Sequence, residues 1–265
     1  MYLSDTHGML VIGDEIDHSE LRRLFEPGLG RGLEPVTSER PYEGLAEPFP
    51  LPAIPRSEWA DRIEQAEKTK SRLIDLKKWR GFPSLNQQQT SYCWANGVVA
   101  CLHYMRAAAG LPHVPLSPAS VAAPIKNFRN VGGWGSEALK YIIEHGVAPQ
   151  SDWPANAIDR QYVEKAKESR LNFKVTEWWE LKPRNLDQLI SCVLYGIPVA
   201  VGYNWWGHEV TAIGAVRLGS DDFGLLIDNS WGTNWGTEGT GILKDSKMLP
   251  DEAVGPRVVT PWTGV

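Results

Sequence analysis

The chain has 265 residues, 42% of them hydrophobic, and a formal net charge of −5, so it can bury a substantial core in one large domain or two small ones. The acidic balance, without a basic run, excludes an electrostatic nucleic-acid binder. No segment approaches the roughly 20 apolar residues that span a bilayer, and three cysteines without a CxxC pair form no disulfide framework.

Residues 1–56 are poor in periodic apolar pattern and rich in proline. The stretch from Pro48 to Pro55 (PFPLPAIP) is expected to be extended and polyproline-like, because proline fixes φ and disfavours helix at its neighbours. From Ser57, an expected N-cap, a helical signature follows, with Trp59, Ile63, Ala66, Leu73 and Leu76 near helical spacing. The pattern predicts an extended N-terminal arm over 1–56, a helical pro-segment-like or docking segment over 57–78, and the main domain over 79–265. The arm is a candidate docking element for a protein partner.

Cys93 to Ala109 predicts a buried helix stopped by Gly110, with Gly97 marking a tight packing contact. Ser117-Pro118 opens a second helix and Pro124 closes it. Ser136 to His145 gives a third, ended by Gly146, and Asn185 caps a fourth. Pro198 to Tyr203, Glu209 to Val216 and Phe223 to Asp228 read as strands, the last two joined by a turn at Asp221-Asp222. Helices first and strands later predict an α+β protein of two lobes.

A thiol is a good nucleophile only as thiolate, so a working cysteine needs a lowered pKa. Cys93 falls in the first turn of its predicted helix, where amide dipoles favour negative charge. The polar loop before it, Asn86 to Tyr92 (NQQQTSY), can offer donors to a developing oxyanion. His208 precedes one predicted strand and Asn229 ends the next, so neighbouring strands could bring an imidazole base and its orienting amide together.

These residues resemble the papain-like cysteine peptidases. Gln87, six residues before Cys93-Trp94-Ala95, resembles that family's oxyanion glutamine and nucleophile motif. The run Asn229-Ser230-Trp231-Gly232-Thr233-Asn234-Trp235-Gly236 resembles its asparagine motif, with Trp231 and Trp235 as shields of the site. Gly132-Gly133-Trp134 resembles the segment that binds substrate backbone, and Trp79-Arg80 the start of the mature domain. The resemblance covers roughly 79–245. It implies a papain-like two-lobe fold, with a helical left lobe, a β-barrel-like right lobe and a cleft between them. It also implies hydrolysis of polypeptide substrates by a Cys93–His208–Asn229 triad through an acyl-enzyme, with no cofactor and no metal.

The departures carry information of their own. A disulfide common in the family would join the places held here by Thr90 and Asn130. Glu209 follows His208 where a small residue is common, so a side chain entering the specificity pocket would favour basic substrates, whereas an outward one would have no effect. Cys101 and Cys192 lie on apolar helix faces and read as core. The N-terminus, Met1 to Glu15, lacks a signal-peptide pattern, so a cytoplasmic or particle-associated location is expected. The N-terminal segment is then either an inhibitory extension or an anchor. Two rival functions remain: an acyl-transferase or amidase on the same triad, and a catalytically silent structural component of a larger assembly.

Overall fold

In the computed structural model of this protein, which describes residues 8–17, 29–37 and 51–261, the first element is β1 (Val11–Ile12), a strand too short for its residue pattern to mark. Part of the proline-rich stretch, Pro48 to Pro50, lies outside the described residues. The run after Ser57 makes two helices instead of one. α1 (Arg56–Thr69) starts after Pro55 with no side-chain cap, so Ser57 lies inside its first turn, and Lys70 ends it with a left-handed φ of 55°. α2 (Leu73–Arg80) follows and stops at Gly81. The expected boundary between residues 78 and 79 therefore falls inside a helix.

The remaining helices are α3 (Cys93–Ala108), α4 (Ala119–Ile125), α5 (Gly135–His145), the single turn α6 (Tyr162–Lys165) and α7 (Leu186–Leu194). Asn185 caps α7 as expected, its Oδ1 accepting the Gln188 N–H at 3.0 Å. Asn185→Ala is expected to lower stability by about 1 kcal/mol. The check is a shift of the urea midpoint with unchanged slope.

The strands are β2 (Val175–Glu180), β3 (Val199–Tyr203), β4 (His208–Arg217), β5 (Phe223–Asp228), β6 (Thr240–Leu243) and β7 (Glu252–Val259). With β1 they form one sheet in the order β1-β6-β5-β4-β3-β7-β2. β1 pairs parallel to β6, and the other neighbours are antiparallel. The fold is α+β and papain-like, its strands arranged as a single sheet.

Burial divides into two principal cores. Trp94, Val98, Leu102, Leu139 and Trp153 centre the helical lobe, and Ile190, Val201, Tyr203 and Ile227 centre the sheet lobe. The lobes meet along α3. There the Thr211 hydroxyl donates to the Gly97 carbonyl at 2.9 Å, and a Cβ at Gly97 would lie 3.1 Å from Glu209 Oε1. This is the tight contact that a glycine within the helix predicts. Cys101 and Cys192 are buried, and all three thiols are free. Among the described residues no helix is long and apolar enough to cross a membrane.

Candidate active site

Cys93 opens α3 and is fully buried. His208 opens β4, Asn229 directly follows β5, and both are buried where those strands reach the first turn of α3. His208 Nε2 lies 2.8 Å from Asn229 Oδ1, which also accepts the Ser230 N–H at 2.8 Å. A carbonyl oxygen only accepts, so Nε2 carries the proton and Nδ1 is the basic nitrogen. Nδ1 makes no hydrogen bond. Trp231 stacks on the His208 ring at 4.5 Å, Trp206 meets the ring edge-on at 5.0 Å, and Trp235 packs edge-on against Trp231 at 6.1 Å. This indole wall keeps water from the His208–Asn229 bond.

Gln87 is fully buried; its Nε2–H donates to the Thr90 carbonyl at 2.7 Å while its Oε1 accepts from the Ser230 hydroxyl at 2.5 Å. The amide is thus fixed between the loop that precedes Cys93 and the loop that follows Asn229. The missing disulfide is replaced by polar contacts, since Asn130 Oδ1 accepts the Ser91 N–H at 2.6 Å. One hydrogen-bonding side chain ties the same two loops that the family's cystine would tie.

Glu209 is neither in an open pocket nor outward. It is buried, and its carboxylate accepts the Gly135 N–H at 3.1 Å at the start of α5. Glu252 accepts from the same amide at 3.1 Å and from Ser136 N–H at 3.2 Å. The two carboxylates share the positive end of α5.

The cleft is filled by the chain's own residues 29–37, part of the N-terminal segment expected to be an inhibitory extension or an anchor. The Gly32 N–H points at Cys93 Sγ, 3.2 Å away. Gly133 N–H donates to the Gly32 carbonyl at 2.9 Å, and Glu34 N–H donates to the Gly133 carbonyl at 3.2 Å, which makes a parallel bridge between Leu33 and Gly133. Trp134 Nε1–H reaches the Glu34 carbonyl at 3.0 Å. A Cβ at Gly132 would meet the Gly32 carbonyl oxygen at 2.5 Å. The Gly132-Gly133-Trp134 segment therefore holds an extended backbone, supplied here by the arm.

Burial under this arm sets the electrostatics. Desolvation pushes the Cys93 thiol up to about 12, aided by the nearby Glu209 carboxylate and opposed by the amides of Glu209, Gly32 and Trp94. Desolvation likewise lowers His208 to about 3, against its bond to Asn229. In this closed form both partners are neutral. Among the described residues no cluster of histidine, cysteine or carboxylate could hold a metal ion.

A two-lobed α+β fold, with a cysteine at a helix start, a histidine opening one strand and an asparagine just past the end of its neighbour, defines a cysteine peptidase class. A profile described as papain family cysteine protease matches residues 74–212, more than half of the chain. The chain belongs to the papain family of cysteine proteases. It is 30% identical over 132 residues to cysteine proteinase 2 of Entamoeba histolytica, covering 41% of this chain and 40% of that protein. It is 24% identical over 253 residues to the probable cysteine protease RD21C of Arabidopsis thaliana, covering 84% of this chain and 54% of that one. It therefore spans well under two thirds of the length of either relative.

Among solved structures, the digestive procathepsin L 3 of Tenebrio molitor larval midgut superposes with a TM-score of 0.63 at 16% identity, over 90% of this chain and 79% of that one. Xylellain, a cysteine protease from Xylella fastidiosa, superposes with a TM-score of 0.55 at 19% identity, over 67% and 83%. Both likenesses concern the fold.

Proposed function

We propose that this protein is a cysteine endopeptidase in which Cys93 is the nucleophile, His208 the base and Asn229 its orienting partner, held closed by its N-terminal arm. The observation that carries the reading is the Cys93 sulfur at the start of α3, receiving a backbone N–H from an extended peptide seated on Gly133. With the arm withdrawn, water and substrate reach the site, and His208 Nδ1 takes the Cys93 proton. The thiolate attacks the substrate carbonyl carbon, and the C=O electrons move onto oxygen. The Cys93 amide and the second Gln87 Nε2–H stabilise that oxyanion. His208 then protonates the departing amine, and water, deprotonated by His208, releases the acyl group and restores the thiol.

Substrates are polypeptides bound in extended form by Gly133 and Trp134. The buried free thiols and lack of a disulfide support a reducing, cytoplasmic or particle-associated setting.

The test is alkylation of Cys93 by iodoacetamide, followed across pH by peptide mass spectrometry. A thiol near 12 gives a thiolate fraction that rises about tenfold per pH unit. Closed wild-type chain should therefore show a slow rate climbing without plateau from pH 6 to 9. An opened chain should show a plateau set by an imidazolium–thiolate pair, lost in His208→Ala. If no form shows a plateau that depends on His208, the silent structural component replaces the enzyme. Product analysis with a competing amine separates hydrolysis from acyl transfer.

A further inference from the structure

We propose that residues 30–34 form a captive strap: they close the cleft reversibly while the chain on both sides remains built into the fold. On this view the site opens by local displacement, without removal of the N-terminal segment. The proposal rests on the peptidase reading above and adds how that site is regulated.

Most of the strap's hydrogen bonds are made by its backbone, while the Leu33 side chain is buried in the helical-lobe core. Gly30 N–H donates to the Gln88 carbonyl at 2.7 Å, and the Gly30 carbonyl accepts Trp231 Nε1–H at 3.0 Å. Arg31 reaches the Trp206 carbonyl at 3.2 Å. Leu33 N–H donates to the Gly207 carbonyl at 3.2 Å, and Asn204 brackets Val36 with a bond to each backbone group, 2.9 and 2.8 Å. The strap presents an amide hydrogen to the sulfur, while the Gly32 carbonyl is engaged by Gly133. A donor in that place satisfies the sulfur and offers it no electrophile there, so the strap can occupy the site without being cut.

Two glycines make the approach possible. A Cβ at Gly30 would lie 1.9 Å from the Thr90 carbonyl oxygen, and one at Gly32 would lie 2.1 Å from that of Ser91. Both obstacles are backbone of the loop that carries the nucleophile and cannot rotate away. Any side chain at either position forces the strap off that loop.

The flanks are anchored differently, by burial. Before the strap, β1 pairs with β6, and Leu10, Ile12 and Ile16 sit in the sheet-lobe core. Asp14 accepts the Ser246 hydroxyl at 2.6 Å. After the strap, Ile54 N–H donates to the Ser191 hydroxyl at 2.8 Å, and Trp59, with no exposed surface, stands edge-on to Phe223 at 5.4 Å. Removing these flanks would take Ile12, Ile54, Trp59 and Ile63 out of the core and expose the apolar surface they cover. A strap tethered at both ends keeps a local concentration in the millimolar range for short links. It closes again whenever substrate leaves.

The test uses the full chain in three forms: wild type, Gly32→Ala and Gly30→Ala. A further form carries an inserted site for a sequence-specific protease between residues 37 and 51, built on Cys93→Ala for the association measurement. Cys93 alkylation should be at least about tenfold faster in the alanine variants, equivalent to about 1.4 kcal/mol of strap binding, with unfolding midpoints close to wild type. After the specific cut, the N-terminal piece should co-elute with the rest under native conditions. Separation of that piece would make it an ordinary removable inhibitor and overturn the proposal. Wild type reacting as fast as Gly32→Ala would also overturn it. If Gly32→Ala accelerates labelling, yet His208→Ala changes nothing and no peptide is cleaved, the strap stands and the peptidase reading fails.

Discussion

In a chain opened by Gly32→Ala, His208→Ala is expected to lower kcat for peptide hydrolysis by about 10²–10⁴-fold, the span of a positioned general base. The geometry sets the direction for each partner. His208 Nε2 is committed to Asn229 Oδ1 at 2.8 Å, so one tautomer is imposed and Nδ1 is left as the basic nitrogen that the proposed mechanism uses. Asn229→Ala removes that imposition and strands a buried N–H beneath Trp231, so kcat should fall as well. The loss should be smaller than for His208→Ala, because the imidazole remains. The two losses should not add, since in the proposed mechanism Asn229 acts only through His208. The measurement is steady-state hydrolysis by the two single variants and the double variant. A His208→Ala chain retaining more than about a tenth of the opened chain's kcat would remove His208 from the role of base.

The elements that carry the chemistry were legible because their signals are side-chain signals. Cys93 begins a run whose apolar spacing marks a helix, and Asn229 directly follows a largely apolar strand. β4 is buried on both faces over nearly its whole length, so no alternation tells which way Glu209 turns, and its inward carboxylate could not be read. β2 carries register shifts at Val175/Glu177 and Glu177/Trp178, which break the period of two, and β7 contains a proline that argues against a strand. The strap was the least legible part of all. Apart from the Arg31 guanidinium and the buried Leu33 side chain, its contacts are made by backbone, and what lets Gly30 and Gly32 approach is the space that a missing Cβ leaves. In the sequence that is only a pair of glycines around Arg31, the same notation that a loose linker would carry. β1 is two residues long, and its stability comes from β6, more than two hundred residues away.

Lys77→Met is expected to lower the unfolding free energy by about 3–5 kcal/mol, the usual cost of breaking a buried ion pair from one side. Lys77 Nζ lies 3.0 Å from Asp228 Oδ2, with side-chain exposures of only 7% and 4%. Ser84 donates to the other carboxylate oxygen, and Tyr104 donates to Oδ2 at 2.6 Å. Methionine fills the space but leaves an uncompensated buried carboxylate. The pair itself is no proof of net stability, because two charges had to leave water to form it. Asp228→Asn on top of Lys77→Met should therefore recover most of the loss, which chemical denaturation of the two variants would show. The cluster also reaches the site, since Asp228 is joined directly to Asn229 and Lys77 belongs to α2. A chain begun at residue 79 would discard Lys77 and strand Asp228 beside Asn229, the hydrogen-bond partner of His208. Such a chain should be unstable for electrostatic reasons alone, whatever the arm does. If Lys77→Met instead costs less than about 1 kcal/mol, the pair is hydrated in solution, and α2 would be held only by its apolar contacts around Leu73 and Phe82.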